Sequence, residues 1–327
     1  MDREGVLKMQ IALLDKNKKI ITTKKKKITV KLLLEQKYLM LMSFPFVIWA
    51  IIFSYTPLWG WTMAFQDYKP NLTFFQQKWV GLKHFKILFT EDTFREVMRN
   101  TLGMSLLGIT FGFAIPIIFA LLLNELRLIR FKKTVQVISY LPHFVSWVIA
   151  ASIVTSMLSS DGIINTLLLK IGVLNSPISM LTNPKLFWII STVAGIWKEA
   201  GWGAIIYLAA IAGIDQEIYE AARVDGANRL KLIWHITLPG IRPTIMVILV
   251  LSIGNLINIG FEQQYLLQNP LVLSHSRTLD YYALQYGIRM YRYSFGTAIG
   301  IFKSVVSVIL LIIANNFAKK LGEGRVM

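Results

Sequence analysis

Long apolar runs separated by shorter polar stretches dominate this chain. Six of them, at about 39–65, 101–123, 137–157, 186–212, 244–261 and 294–318, approach or exceed the roughly twenty mainly apolar residues a helix needs to cross a bilayer. The pattern predicts an all-α polytopic membrane protein with six transmembrane helices. A polar tail over 1–38 precedes the six-span domain at 39–318, and a short tail over 319–327 follows it. The first run carries Pro45, Pro57 and a group of Trp and Tyr toward its far end, the composition of an interfacial aromatic belt. Pro116 and Pro142 interrupt the second and third runs, which is tolerated where neighbouring helices satisfy the freed carbonyls.

Composition agrees with that reading. Hydrophobic residues make up 54% of the 327 and charged residues only 16%, with a mean hydropathy of +0.53, outside the range of ordinary soluble domains. No cysteine is present, which excludes disulfides and thiolate metal sites, and the four histidines (His84, His143, His235, His275) are scattered. The net charge of +17 is read as topology-setting, with Lys and Arg marking cytoplasmic loops, rather than as a nucleic-acid footprint. With the N-terminus inside, the inner segments hold 22 of the 35 basic residues and the outer segments 11, with Lys198 and Lys303 inside spans. Both termini are therefore expected on the cytoplasmic side of the membrane. Half of the inner count comes from the tail, including the run Lys24 to Lys27, and without it the two sides tie. The tail is too long for a signal peptide; beyond setting topology, it could touch anionic lipid headgroups.

One polar interruption differs from the others. Residues 213–243 form a mixed-charge, helix-favouring stretch between the fourth and fifth runs. Asp215 and Glu217 fall in the first turn of an expected helix and complement its dipole. Ala221 and Ala222 favour helix while keeping one face slim, and Gly226 permits a turn a side chain would resist. A second short helix is expected from Ala227 to His235, ended by Pro239.

The spacing within this stretch carries a resemblance. Glu220-Ala221-Ala222, three residues, Gly226, nine residues, Ile236, one residue and Leu238-Pro239 resemble the EAA loop of ABC-importer permeases, and Asp225-Gly226-Ala227 is similar to the carbohydrate-importer branch. Trp79-Val80-Gly81-Leu82-Lys83-His84-Phe85 and the Leu141-Pro142 span add weaker support. The resemblance covers the chain from the first span onward. It implies a type I ABC-importer permease fold in which Glu220, Ala221, Ala222, Asp225, Gly226, Ile236, Leu238 and Pro239 belong to a coupling element seated on an ATPase subunit. It also implies a second, different permease, two ATP-binding subunits carrying ATP and Mg2+, and an extracytoplasmic solute-binding protein. This chain itself would bind no cofactor and hydrolyse nothing.

A solute path is sought among polar groups inside spans, where an ionisable residue costs about 2.5–3.5 kcal/mol and usually faces a bundle interior or watery cavity. Lys198, Lys303, Asn255 and Asn258 come out at similar heights, roughly 18–24 Å above the inner surface at 1.5 Å per helical residue. Trp197, Glu199, Trp202 and Tyr207 accompany Lys198, and aromatic faces beside hydrogen-bonding groups suit a sugar ring. The competing reading has the lysines snorkelling outward and the tryptophans facing lipid. Adjacent helical residues stand about 100° apart, so Lys198 and Glu199 cannot both point straight inward.

The chain is thus identified as a member of the maltose-type, binding-protein-dependent sugar permeases, similar to those of complex-oligosaccharide importers. Some of those handle uronate-containing glycans, and Lys198, Arg289 and Arg292 would suit an acidic sugar. An ATP-independent secondary transporter or channel is the alternative. A membrane enzyme of glycan assembly would need carboxylates or histidines that the sequence does not group. The Gly296…Gly300…Lys303-Ser304 stretch departs from phosphate-loop spacing and lies in a span.

Overall fold

The computed structural model describes residues 36–320, so the basic tail up to residue 35, on which the orientation reading depends, and residues 321–327 lie outside the described residues. The chain divides into two units, one up to Gly60 and one from Trp61 onward. In the first, α1 (Lys37–Ala50) runs on through a π-helical turn at Ile51–Tyr55. None of the α1 side chains is buried, as expected of an all-round apolar helix whose solvent is lipid.

In the second unit the helical residues up to Phe65 lead into a two-stranded hairpin, β1 (Gln66–Asp67) antiparallel to β2 (Lys78–Trp79), followed by α2 (Lys83–Thr90). α3 (Asp92–Leu107) passes through a π turn at Gly108–Gly112 into α4 (Phe113–Glu125). Then come α5 (Ile129–Phe144), α6 (Trp147–Leu158), α7 (Ile163–Lys170) and the 29-residue α8 (Pro184–Ala212). A polar pair, α9 (Gln216–Val224) and α10 (Arg229–Leu232), leads into α11 (Leu238–Gly254). Three short helices, α12 (Phe261–Leu267), α13 (Leu273–Ser276) and α14 (Leu279–Ala283), precede the 28-residue α15 (Tyr293–Lys320).

α8 is the hub of this unit, packing on α3, α4, α5, α11, α12 and α13. Its start is set by Asn183, whose side chain accepts the Lys185 N–H at 3.1 Å, and by Pro184 at the first helical position. Between apolar helices in lipid there is little hydrophobic drive, so close packing depends on small residues. A methyl added at Gly201 would lie 2.0 Å from the Ser139 carbonyl oxygen, which shows how closely α5 approaches α8. A larger cluster, with Leu88, Phe94, Ile257, Tyr282 and Phe295, ties α2, α3, α14 and α15 together at one end.

Several expectations need revision. Five helical segments are long and apolar enough to cross a membrane: 37–65, 92–125, 147–170, 229–254 and 293–320. α8 is long enough but falls short in apolarity, with Lys198 and Glu199 in its middle. The run 137–157 is not one helix, because α5 stops at Phe144 and Ser146, with ψ of 153°, caps α6. Pro142, in the last turn of α5, cannot continue the amide ladder there. The fifth span also shifts: helix runs unbroken from Arg229 to Gly254, and Asn255–Gly260 are not helical. Pro239 therefore does not end a helix. A π-helical turn at Ile233–Thr237 lies immediately before it, and Pro239 sits in the opening turn of α11, where its missing N–H is accommodated.

Candidate functional site

The stretch with the EAA spacing folds as a helix, a tight turn and a second helix. Asp215 caps α9 by accepting the Glu217 N–H at 3.0 Å. At the other end Gly226 adopts φ of +78°, donates its N–H to the Arg223 carbonyl at 3.1 Å, and leaves Ala227 to donate to Ala222 at 2.9 Å. These two bonds form a Schellman cap, which requires the left-handed conformation at Gly226. Asn228 then starts α10 by accepting the Lys231 N–H at 2.9 Å. Buried Tyr219 pins the element to the base of the fifth span through its hydroxyl, 2.9 Å from Thr237 Oγ1. Glu220, Ala221, Asp225, Gly226 and Pro239 are exposed, Ala222, Ile236 and Leu238 are half-buried, and Ile218, Val224, Leu230 and Trp234 add exposed apolar surface.

A cavity of about 440 Å³ opens between α3–α4, α8 and the stretch from α11 to α12. It is lined by Glu199, Trp202, Tyr207, Asn255 and Asn258 together with Ser105, Ser191, Ser252, Gln263 and Gln264. Asn255 and Asn258 sit just past the end of α11, where the Asn258 amide donates to Asn255 Oδ1 at 3.2 Å. The Ser105 hydroxyl donates to the Leu256 carbonyl and so holds this unwound stretch against α3. Gln263 and Gln264 line it from α12, the Gln264 amide donating to Ser191 Oγ at 2.7 Å. His143 stacks flat on Trp202 with ring centroids 4.4 Å apart, and its Nδ1 lies 2.7 Å from Glu199 Oε2.

Residues 112–323 match the family model described as the binding-protein-dependent transport system inner membrane component. The chain belongs to that family. It is a multi-pass membrane permease of such a system. It is 46% identical to the polygalacturonan/rhamnogalacturonan transport system permease protein YteP of Bacillus subtilis, over 92% of this chain and 93% of that one. It is 45% identical to Protein LplB of the same organism, over 88% and 90% of the two chains. A crystal structure of a bacterial alginate ABC transporter, in complex with alginate pentasaccharide-bound periplasmic protein, contains a chain that superposes with a TM-score of 0.83 at 39% identity, covering 90% of this permease and 98% of that chain.

Three solute-path candidates of the permease lie elsewhere. Lys198 is buried and does not line the cavity; its ammonium donates to the His143 carbonyl at 2.8 Å, lies 3.3 Å from Glu199 Oε1 and 5.5 Å from the Trp147 ring. It thereby satisfies a carbonyl left open at the end of α5, the usual service of a cation at a helix C-terminus. Trp197 lines a separate, almost wholly apolar pocket with Ile153, Met157 and Val193. Lys303 pairs with Asp280, joining α15 to α14. Of the two arginines suited to an acidic sugar, Arg292 pairs with Glu91 at 3.4 Å and Arg289 donates to the Tyr265 hydroxyl at 2.8 Å. The sequence reading missed Gln263, Gln264 and Ser191 at the cavity, and His143, which holds the lining residues Glu199 and Trp202. Only His143 had a visible signal, its place directly after a proline in a span.

Proposed function

We propose that this permease forms half of the translocation path of an ATP-driven sugar importer. Its partners are a second, different permease, two ATP-binding subunits carrying ATP and Mg2+, and an extracytoplasmic solute-binding protein. α8 serves as the sixth span, and both termini face the cytoplasm. The exposed face of α9 and its capped turn, with Glu220 and Gly226 at the contact, seats on an ATPase subunit, and its motion is passed to the spans through Tyr219, Thr237 and α11.

The central cavity carries this reading. It combines an indole, a phenol, carboxamides and hydroxyls, which offer a stacking face and hydrogen bonds to a sugar ring. That the solute is an oligosaccharide, and an acidic one, is supported by relatives named for polygalacturonan/rhamnogalacturonan and for the acidic polysaccharide alginate.

The test is ATPase activity of the assembled importer with its binding protein, loaded with uronate or neutral oligosaccharides of one length. Uronate is expected to stimulate more strongly, and Glu220→Lys to abolish stimulation by either. Equal stimulation by neutral glycans overturns the acidic preference, and transport indifferent to ATP would return the ATP-independent transporter.

A further inference from the structure

The charge of the central cavity presents a difficulty for an acidic solute. Among the described residues that line it, Glu199 is the only charged one, and it is a carboxylate. A lone carboxylate there would repel each uronate group as it passed. The residue that removes this difficulty lies behind the wall. Lys198 is 6% exposed where Glu199 is 47% exposed, and its ammonium is 3.3 Å from Glu199 Oε1. The other carboxylate oxygen is held by His143 Nδ1 at 2.7 Å, with the imidazole itself fixed flat against Trp202. Both oxygens are thus engaged on the protein side while the carboxylate still borders the cavity.

We propose that Lys198 is a positioning residue for solute charge: without touching solute, it holds Glu199 as half of a neutral pair, so that the cavity admits anionic glycans. The benefit to an acidic solute rests on the solute reading above; the charge pair itself does not. Removing Lys198 exposes a full negative charge to the cavity, and removing Glu199 exposes a positive one. At about 6 Å and an effective dielectric constant of about 40, one unit charge changes the local concentration of a monovalent anion about tenfold.

This chain has no cysteine, so with any cysteines of the partner subunits replaced the potential can be read directly. Ser252, which lines the cavity, is replaced by Cys in the assembled importer in membrane vesicles. Its modification rates by the anionic sulfonatoethyl and the neutral hydroxyethyl methanethiosulfonates are then compared. Lys198→Gln is expected to lower the anionic-to-neutral rate ratio about tenfold, Glu199→Gln to raise it by a similar factor, and the double variant to restore the starting ratio. Lys198 also caps α5, so a purely structural role is the competing outcome. That role would slow both reagents alike in Lys198→Gln and leave the double variant as impaired as the single one; either result overturns the proposal. Should Lys198→Gln fail to assemble, the Glu199→Gln ratio is set against that of a free thiol in solution: a value about tenfold above it is expected from the unmasked Lys198, and a value at or below it overturns the proposal. Uptake of uronate and neutral oligosaccharides in the same vesicles separates the two claims. A wild-type importer that takes only neutral glycans, with rate ratios that shift as expected, overturns the acidic-solute reading and supports the pair.

Discussion

Gly201→Ala tests whether the approach of α5 to α8 organises this permease. The added methyl would sit 2.0 Å from the Ser139 carbonyl oxygen and 2.5 Å from its carbon, both backbone atoms that no rotamer change can move. Ordinary contact begins at 3.4 Å, so the helices must separate by about 1.4 Å at that level. Overpacking of this kind costs about 1–3 kcal/mol. Displacement of α5 also stretches the 2.8 Å bond from Lys198 to the His143 carbonyl and the His143–Trp202 stack, placing the variant toward the upper end of that range. Gly300→Ala on α15 is the matched control. Nothing lies within 4 Å of a methyl there, so the change should be neutral or stabilise by up to about 1 kcal/mol through helix propensity. Thermal unfolding of the purified importer reads both. A Gly201→Ala protein as stable as Gly300→Ala would refute the packing argument.

Two further predictions concern other parts of the second unit. Tyr219→Phe deletes the buried bond to Thr237 and should cost about 1 kcal/mol, more if Thr237 stays unpaired; substrate-stimulated ATPase should fall while basal ATPase of the assembled complex persists. His84, buried with Nε2 3.1 Å from the Gln66 carbonyl, has its pKa lowered from 6.5, first by burial and then by Lys83 and Arg292 against the opposing pull of the Gln66 carbonyl and Asp67. The unfolded chain then binds more protons than the folded one between the two values, so stability falls as pH drops below 6.5. The loss should be smaller in His84→Gln, measured by unfolding across that range.

The polar helix–turn–helix over 215–232 was legible because its determinants are local. A cap at Asp215, small residues at 221 and 222 and a left-handed glycine at 226 each act within one turn, and spacing along the chain is enough to find them. Pro239 misled because its usual effect was absorbed by the π turn before it, whose looser bonding to the fifth residue no side chain in 233–237 announces. Asn255 and Asn258 were placed at a cavity for an incomplete reason, since they reach it from an unwound stretch and not from within a span.

Lys198 and Lys303 show where sequence reasoning stops. The cost of burying an ammonium in a membrane correctly signals a partner, but the sequence cannot distinguish a watery path from a protein acceptor. For Lys198 the acceptor is a backbone carbonyl 55 residues earlier, left open because α5 ends at Phe144; for Lys303 it is Asp280, 23 residues earlier. The 100° between neighbours allowed one of Lys198 and Glu199 to face the cavity. It is the carboxylate that does so, and the lysine's position behind it makes the sign of the cavity wall a property of the pair.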